Sequence, residues 1–275
     1  MTWIAFDIET TGAYPVVDEV VEIGAIKFRG WEMLDSLQVL IKPTYPMSDE
    51  IVKIHGITNE MVAGAPSADK VSKKIWDFFK ADFFVAHHAP FDLGFMAEFF
   101  EKENYSLPHG ECLCTSLLSR QLVTGVPNHK LQTLAGYFGI NPGKAHRALD
   151  DAHTCAQIFQ NLVRLASSNF GYFSLSAFVE KQGYQLPWQR FSIKSHLHPM
   201  MPEIYDACKT RKDILITYNK GLMKNQIQRI KPLGIVLTPL DGDYVPAVSL
   251  MDQRKRRYQL AYLSNAQGSP SQDAF

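Results

Sequence analysis

The sequence lacks the segments that would direct a chain to or through a membrane. The N-terminus has no basic stretch followed by an apolar one, so we expect no signal peptide, and no apolar run is long enough to cross a bilayer. Cysteines are few: Cys112, Cys114, Cys155 and Cys208. The first two stand too close together for a typical zinc knuckle and the others are isolated. We therefore expect structural thiols in a reduced cytoplasmic setting.

The chain also lacks a net charge, but its charges are unevenly spread. Residues 1–168 carry 14 basic and 20 acidic side chains, whereas residues 169–275 carry 14 basic and 8 acidic ones. An acidic half can hold cations, and a basic half can bind a polyanion such as nucleic acid. The alternative is that the two halves simply attract each other.

Alternating apolar residues predict that the chain begins as a sheet. Residues 2–9, 20–28 and 37–42 are predicted as strands joined by short connections, and residues 83–87 as a short buried strand. Helical spacing of apolar residues predicts helices over 67–80, 91–103, 115–123, 130–138 and 147–166. Strands followed by alternating strand and helix favour a mixed α/β sheet with helices packed on its faces.

The composition changes near residue 168, which suggests a second unit. We expect a first domain over residues 1–168, a linker or helical connection over 169–200 and a smaller β-rich domain over 201–264. The last is predicted from short β-like runs at 214–220, 227–237, 244–250 and 256–263. The final segment, 265–275, is polar and small, and we expect it to be disordered.

Two acids interrupt the first predicted strand. Asp7 and Glu9 are two residues apart, so both carboxylates project from the same face. Burying such a pair is costly because like charges at short range resist joint ionisation. A divalent cation removes that cost, and oxygen ligands suit Mg²⁺ or Mn²⁺. A solvated end of an edge strand explains the pair equally well.

Later stretches place three more functional candidates on helix starts. Asp92 opens a helix directly after a buried strand, where capping and the helix dipole give it an ordinary structural explanation. Asp151 lies on the apolar stripe of the last long helix of the first half, so it faces inward and needs a partner. His146 precedes it by five residues, at the junction of loop and helix. A metal held by Asp7 and Glu9 would supply that partner.

Together these motifs resemble the DEDD exonuclease superfamily. FDIETTG, EIGAI, HGIT, AHHAPFD and HRALDDA occur in the expected order over residues 1–168. One branch has Tyr four residues before the last acid, where this chain has Arg147; the other has His five residues before it, where this chain has His146. The chain therefore resembles the His (DEDDh) branch, which includes the proofreading epsilon subunit of DNA polymerase III and RNase T. The resemblance implies a ribonuclease-H-like fold and release of 5′-monophosphates from a 3′ end.

The resemblance also implies roles for individual residues. Two divalent cations, Mg²⁺ or Mn²⁺, would be held by Asp7, Glu9, Asp92 and Asp151. His146 would take the proton from the attacking water, which suits an imidazole near neutral pH. The residues expected to contact the terminal nucleotides are Ile8, Thr10, Thr11, Gly12, His55 and His88, the last standing where many relatives have Asn.

The basic half resembles the WYL domain, a small Sm-like β-barrel, through ITY, QRIKPLGI, GDYVPA and RRYQL. In that case a phosphate backbone would be contacted by Arg229, Lys231, Arg254, Lys255, Arg256 and Arg257. Bases of a single strand would stack on Tyr218, Tyr244 and Tyr258. The alternative is a solvated basic face with core tyrosines.

The sequence thus predicts a metal-dependent 3′→5′ exonuclease in a bacterial-type cytoplasm. Its substrate would be single-stranded or 3′-frayed nucleic acid, with DNA favoured over RNA, and its partner a polymerase or repair protein. One alternative is a polymerase proofreading subunit. Another is a catalytically silent sensor of nucleic acid or ligand, which would be expected to have lost an acid or the base; none is lost here.

Overall fold

The computed structural model describes residues 1–143, 146–170, 174–221 and 224–268, and only the backbone of residues 168–170 and 265–268. No helix among these residues combines the length and apolarity that crossing a bilayer demands. All four cysteines are buried free thiols, which confirms their predicted structural character.

The first half forms a mixed sheet around a central strand. Strand β1 (Thr2–Thr10) pairs antiparallel with β2 (Val20–Arg29), which pairs antiparallel with β3 (Glu32–Leu40). On its other side β1 runs parallel to β4 (Phe83–Ala86), which runs parallel to β5 (Cys112–Cys114). The predicted α/β fold is confirmed. The sequence pattern missed β5 because three residues are too few to show an alternation.

Helices cover both faces of this sheet. They are α1 Asp49–His55, α2 Asn59–Ala63, α3 Ala68–Phe78, α4 Ala89–Lys102, α5 Thr115–Leu122, α6 Leu131–Phe138, α7 Ala148–Phe170, α8 Leu175–Gln182 and α9 Met201–Thr210. Apolar residues of α3 and α4 pack on one face, and those of α5 to α8 pack on the other. The helices predicted in the first half are present, with their ends shifted by a few residues.

Alternation along β1 decides which face the two acids take. Even-numbered residues such as Phe6 belong to the core beneath α3 and α4, and odd-numbered residues such as Ala5 belong to the core beneath α7. Asp7 and Glu9 continue the odd series. They therefore project toward the side on which α7 begins.

A second, antiparallel sheet follows, with the order β10-β6-β7-β8-β9. Its strands are β6 Ile214–Tyr218, β7 Gln226–Pro232, β8 Tyr244–Ser249, β9 Lys255–Gln259 and β10 Leu263–Gly268. The predicted β-rich second unit is confirmed, and its WYL-like character stays a prediction. The predicted disorder is wrong for residues 265–268, which continue β10 along the open edge of β6, because backbone pairing needs no apolar pattern. Residues 269–275 lie outside the described part of the chain.

The connection between the sheets packs into the core. Besides α8, residues 169–200 contain a 3₁₀ turn at Trp188–Phe191, and Trp188 is fully buried with its ring 5.1 Å from that of Phe84. Inward residues of the second sheet, such as Ile216, belong to the same apolar cluster. The predicted domain boundaries stay a prediction, and the two sheets share one core.

Candidate active site

The two acids of β1 lie beside the point where β2 contacts the start of α7. Asp7 pairs with Gly24 in the β1–β2 register, and Glu9 pairs with Glu22. A Cβ at Gly24 would lie 2.1 Å from the carbonyl carbon of Ala148. Only a glycine therefore lets the first turn of α7 rest against β2 beside Asp7.

The other two acids reach this place from helix starts. His88 takes a left-handed conformation with φ 59° and turns the chain from β4 into α4, whose fourth residue is Asp92. Asp92 and Asp151 are both buried, with side chains in the first turns of α4 and α7. Asp151 Oδ2 accepts a hydrogen bond of 3.0 Å from the His146 N–H. Within the described residues, Asp151 Oδ1 has no hydrogen-bond partner.

The carboxylates disturb one another strongly. Burial raises the pKa of Asp7 well above its ordinary value, and the charges of Asp92, Glu9 and Asp151 raise it further. Burial, then Asp151, raises the pKa of Glu9 to about 8. Burial also raises the pKa of Asp92 and of Asp151. Four acids thus share one poorly solvated space, and they are the four acids named by the family resemblance.

These groups fit a divalent cation. Glu9, His146 and Asp151 each offer a ligand atom, and these atoms lie within 4.8 Å of one another. Carboxylate oxygens suit Mg²⁺ and Mn²⁺. A bound cation would give Asp151 Oδ1 a partner. Its positive charge would also stabilise the ionised carboxylates and so lower their raised pKa values.

His146 stands at the rim of the site with its backbone held. Its side chain is exposed, and its φ of 60° is left-handed. The next residue, Arg147, places Nη2 2.7 Å from Oε1 of Glu22, and Oε2 of the same carboxylate accepts the Ala148 N–H at 3.1 Å. Burial alone would raise the pKa of Glu22, but its bonds to Arg147, Ala148 and Gln38 outweigh burial and lower it. Glu22 therefore stays ionised.

Sequence reasoning missed Glu22. The acid stood within the quoted EIGAI motif, and the signal that could have identified it was a carboxylate on a fully apolar strand. Arg147 was noted only because it stands where another branch has Tyr. Neither pattern could show that the two residues meet.

The loop after β1 is tightly hydrogen-bonded. Thr10 Oγ1 donates to the Gly12 carbonyl at 2.6 Å, and Thr11 Oγ1 accepts from the Glu19 N–H at 2.9 Å. A Cβ at Gly12 would lie 2.4 Å from the Asp18 carboxyl carbon. The loop is therefore preformed beside the acids, with its hydroxyls engaged within the loop itself.

The remaining predicted substrate residues have different settings. Ile8 is buried on the face of β1 opposite the acids. His55 is buried, and its Nδ1 accepts the Ile57 N–H at 3.0 Å, which places the imidazole proton on Nε2. Burial lowers the pKa of His55 against the opposing effect of the Thr10 carbonyl. His88 lies at the start of α4 with part of its side chain exposed, and partial desolvation of the imidazole, followed by the charge of Arg120, lowers its pKa.

The basic residues of the second sheet divide into two groups. Arg229 pairs with Asp213 at 3.4 Å, and Arg256 pairs with Asp252 at 2.5 Å. The other four basic residues predicted to contact phosphates are exposed and take part in no ion pair within the described chain: Lys231, Arg254, Lys255 and Arg257.

The three tyrosines predicted to stack on bases also differ in their exposure. Tyr258 is 1% exposed and donates its hydroxyl to Gln228 Oε1 at 2.9 Å. The prediction that Tyr258 stacks on bases is wrong, because strand alternation turns it inward. Tyr218 and Tyr244 are partly exposed.

Comparison with known proteins decides the family. The sequence model of the RNase_T family, described as exonuclease, matches residues 4–159, more than half of the chain. The chain belongs to the RNase_T exonuclease family. The predicted membership of the DEDD exonucleases is confirmed, and enzymes of this family depend on divalent cations.

The curated relatives of this RNase_T exonuclease domain are much longer proteins. DNA polymerase III PolC-type of Caldanaerobacter subterraneus subsp. tengcongensis is 38% identical over 157 residues, 57% of this chain and 11% of that protein. The PolC-type polymerase of Thermotoga maritima is 34% identical over 167 residues, 60% of this chain and 12% of that protein. The match thus spans about one tenth of the length of these relatives.

Solved structures show the same fold. Exonuclease X in complex with 5′ overhanging duplex DNA is 25% identical, with a TM-score of 0.51, over 66% of this chain and 99% of that chain. Escherichia coli exonuclease I with single-stranded DNA is 17% identical, with a TM-score of 0.54, over 90% of this chain and 54% of that chain. The second likeness extends beyond the family match, so it includes part of the second unit.

Proposed function

We propose that this RNase_T-family chain is a divalent-metal-dependent 3′→5′ exonuclease that releases nucleoside 5′-monophosphates. The observation that carries the proposal is the convergence of Asp7, Glu9, Asp92 and Asp151, whose pKa values are all raised, with His146 beside them. Such a group of acids is unstable without cations and well suited to holding them.

The mechanism assigns each group one task. The four acids would hold two cations, Mg²⁺ or Mn²⁺. Bound there, the cations would stabilise the attacking and the leaving oxygen of the phosphodiester. The His146 imidazole accepts the proton of the attacking water, and its position at the exposed rim lets the proton pass on to solvent. The hydrogen bond from the backbone N–H of His146 to Asp151 Oδ2 fixes the position of the base relative to the acids.

The terminal nucleotide would lie against the loop Thr10–Gly12. Gly12 would contribute its backbone amide, since the Asp18 carboxyl group fills the space beside its Cα. The His55 Nε2, which has no hydrogen-bond partner among the described residues, would donate its proton beside Thr10. Ile8 would support the loop from beneath, and His88 would contact the strand at the start of α4. On the second sheet, Lys231, Arg254, Lys255 and Arg257 would contact phosphates, whereas Arg229 and Arg256 would first have to leave their aspartates.

We propose DNA, single-stranded or frayed at its 3′ end, as the substrate in preference to RNA. The relatives named DNA polymerase III and the DNA complex of exonuclease X support that preference. The polymerase relatives also support a polymerase or repair partner in the bacterial cytoplasm. A proofreading subunit is therefore the second candidate, and co-purification with a polymerase would distinguish it from an enzyme that acts alone. A silent sensor is disfavoured because the sequence contains Asp7, Glu9, Asp92, Asp151 and His146, and a silent relative would be expected to have lost one of them.

The test uses purified full-length chain with oligonucleotides labelled at the 3′ or 5′ end, in Mg²⁺, Mn²⁺ or EDTA. We expect stepwise loss from the 3′ end that requires the metal. Asp7→Ala should abolish it, and His146→Ala should lower kcat by roughly 10²–10⁴-fold. Asp150→Asn is the matched control, since it removes the neighbouring carboxylate from another face of α7. Metal-independent cleavage, or full activity of Asp7→Ala, would contradict the proposal.

A further inference from the structure

Two cavities are lined by neighbouring residues of the loop 238–243, which lies in the connection between β7 and β8 of the second sheet. One, of about 250 Å³, has His88, Ser116 and Arg120 on one wall and Leu240 on the other. The other, of about 390 Å³, is lined by Tyr218, Lys220, Asp241, Tyr244, Arg257 and Gln259. Because Leu240 and Asp241 are neighbours, the loop separates the two cavities by a single ridge.

The ridge is held rigidly from both ends. The Asp243 carboxylate accepts Arg190 Nη2 at 2.7 Å and the Thr238 N–H at 2.8 Å, and it contacts His196 Nε2 at 3.1 Å. Val236 and Tyr244 exchange backbone hydrogen bonds of 2.9 and 3.0 Å across its base. A loop closed in this way can guide a ligand without having to be ordered by it.

The first cavity shares His88 with the proposed active site, and the second sheet contacts the segment that follows β1. His88, which lines the first, is the residue that turns the chain into α4 and so toward Asp92. At the base of the ridge, a Cβ at Gly234 would lie 2.4 Å from Tyr14 Cβ. Tyr14 follows Gly12 by two residues, so the second sheet rests on the loop proposed to hold the 3′ end.

The second cavity holds two basic side chains that lie beside aromatic rings. The Arg257 guanidinium lies 4.9 Å from the centre of the Tyr244 ring, which is part of the lining. Lys220 Nζ donates to Gln259 Oε1 at 2.6 Å and lies 4.6 Å from the centre of the Tyr262 ring, which is outside the lining. In the described residues, neither Arg257 nor Lys220 takes part in an ion pair with an acid. Cations beside stacking rings are the usual means of holding a phosphate and its base in single-stranded nucleic acid.

Resting on the proposed exonuclease activity, we infer that the strand leaving the metal site crosses this ridge. It passes between His88 and Arg120 on one side and Leu240 on the other, and it places a nucleotide upstream of the 3′ end in the cavity of Tyr244, Arg257 and Lys220. The ligand class is a single-stranded polynucleotide long enough to span both cavities. A substrate with only the terminal nucleotide does not use them.

The experiment compares two substrates on the full-length chain. The p-nitrophenyl ester of thymidine 5′-phosphate occupies the metal site alone, whereas a single-stranded DNA of ~20 nucleotides can span both cavities. We expect Tyr244→Ala and Arg257→Gln to raise KM for the DNA by roughly tenfold or more, since base stacking and phosphate contacts are lost. Arg257→Gln should also lower the salt dependence of DNA affinity by a slope of about 0.7. Hydrolysis of the ester should not change.

Lys212→Gln is the matched control, because Lys212 is an exposed basic residue that lies just before the same sheet, lines neither cavity and has no proposed contact with the strand. If Arg257→Gln behaves like Lys212→Gln on DNA, the inference is wrong although the nuclease assignment stands. The exposed Arg257 keeps the test decisive should Tyr244→Ala fold poorly. If the unaltered chain hydrolyses neither substrate, the proposed function itself fails.

Discussion

Arg147 and Glu22 form an ion pair in which Arg147 Nη2 lies 2.7 Å from Glu22 Oε1 and the Glu22 side chain is fully buried. The other oxygen of the same carboxylate accepts the N–H of Ala148, the first residue of α7. His146 directly precedes Arg147. The pair therefore ties the start of α7, and with it the proposed general base, to strand β2.

Arg147→Ala should destabilise the protein by about 3–5 kcal/mol, because it leaves a buried carboxylate without its partner. Combining it with Glu22→Gln should recover part of that loss, since the uncompensated charge is gone. Urea unfolding of both single variants and the double variant measures the coupling. Arg164→Ala removes an exposed arginine from the same helix and should change stability by less than about 0.5 kcal/mol. If the effects of the two single variants on the free energy of unfolding are strictly additive, the ion pair contributes no coupling energy and the prediction is wrong.

The metal-free protein should lose stability as the pH rises from about 4.5 to about 8. The pKa of Glu9 is about 8 in the folded chain against an ordinary value of 4.5. The folded state thus binds the proton more tightly, so this contribution is present below pH 4.5 and is lost as the pH passes 8. Mn²⁺ should raise the melting temperature more at pH 8 than at pH 5.5, because at low pH it must displace protons.

Thermal denaturation with Mn²⁺ or EDTA at several pH values measures this linkage. Glu9→Gln removes the ionisable group, so it should flatten the pH dependence in EDTA and weaken the shift caused by Mn²⁺. A metal-induced shift of equal size at pH 5.5 and pH 8 would exclude the coupling of these protons to the metal.

Gly24→Ala should sharply reduce activity, because the added Cβ would lie 2.1 Å from the Ala148 backbone and would push α7 away from β2. Overpacking of this kind costs roughly 1–3 kcal/mol or more. Gly64→Ala is the control, since nothing lies within 4 Å of its Cβ position and its φ is −92°. Exonuclease assays and melting temperatures of both variants check this. Normal activity in Gly24→Ala would mean that the close approach of α7 is dispensable.

Leu186→Ala should destabilise the chain by about 2–5 kcal/mol, although Leu186 lies outside the family match. Leu186 is fully buried in the core shared by the two sheets, whereas Leu197, eleven residues later, is 96% exposed. Leu197→Ala should therefore be nearly neutral. For the same reason, residues 1–168 alone should aggregate or unfold. Recovery of a stable, active fragment ending at residue 168 would contradict this.

Local pattern was sufficient for most of the proposed site. Asp7 and Glu9 share a face because a strand alternates, and Asp151 faces inward because it lies on a helical stripe. The pattern failed where burial did not follow a period. Residues 184–193 show no regular alternation, yet Trp188 fills the space among Phe6, Phe84 and Phe100. The prediction for Tyr258 failed for a different reason. Its strand, KRRYQ, is mostly polar and was expected to be exposed, but the Tyr258 ring points into the core.

The sequence by itself determined the longer strands of the first sheet, the main helices of the first half and the branch to which His146 belongs, because each depends on residues that are close along the chain. Tertiary structure alone decided that Glu22 meets Arg147 across 125 positions. It also decided that the second sheet contacts the segment after β1. The same packing places the basic side chains Lys220 and Arg257 in a cavity next to the loop that contains Leu240. Such contacts depend on how sheets and helices pack. The local periodicity of a sequence reports which face a residue takes, but not which distant residue it will contact.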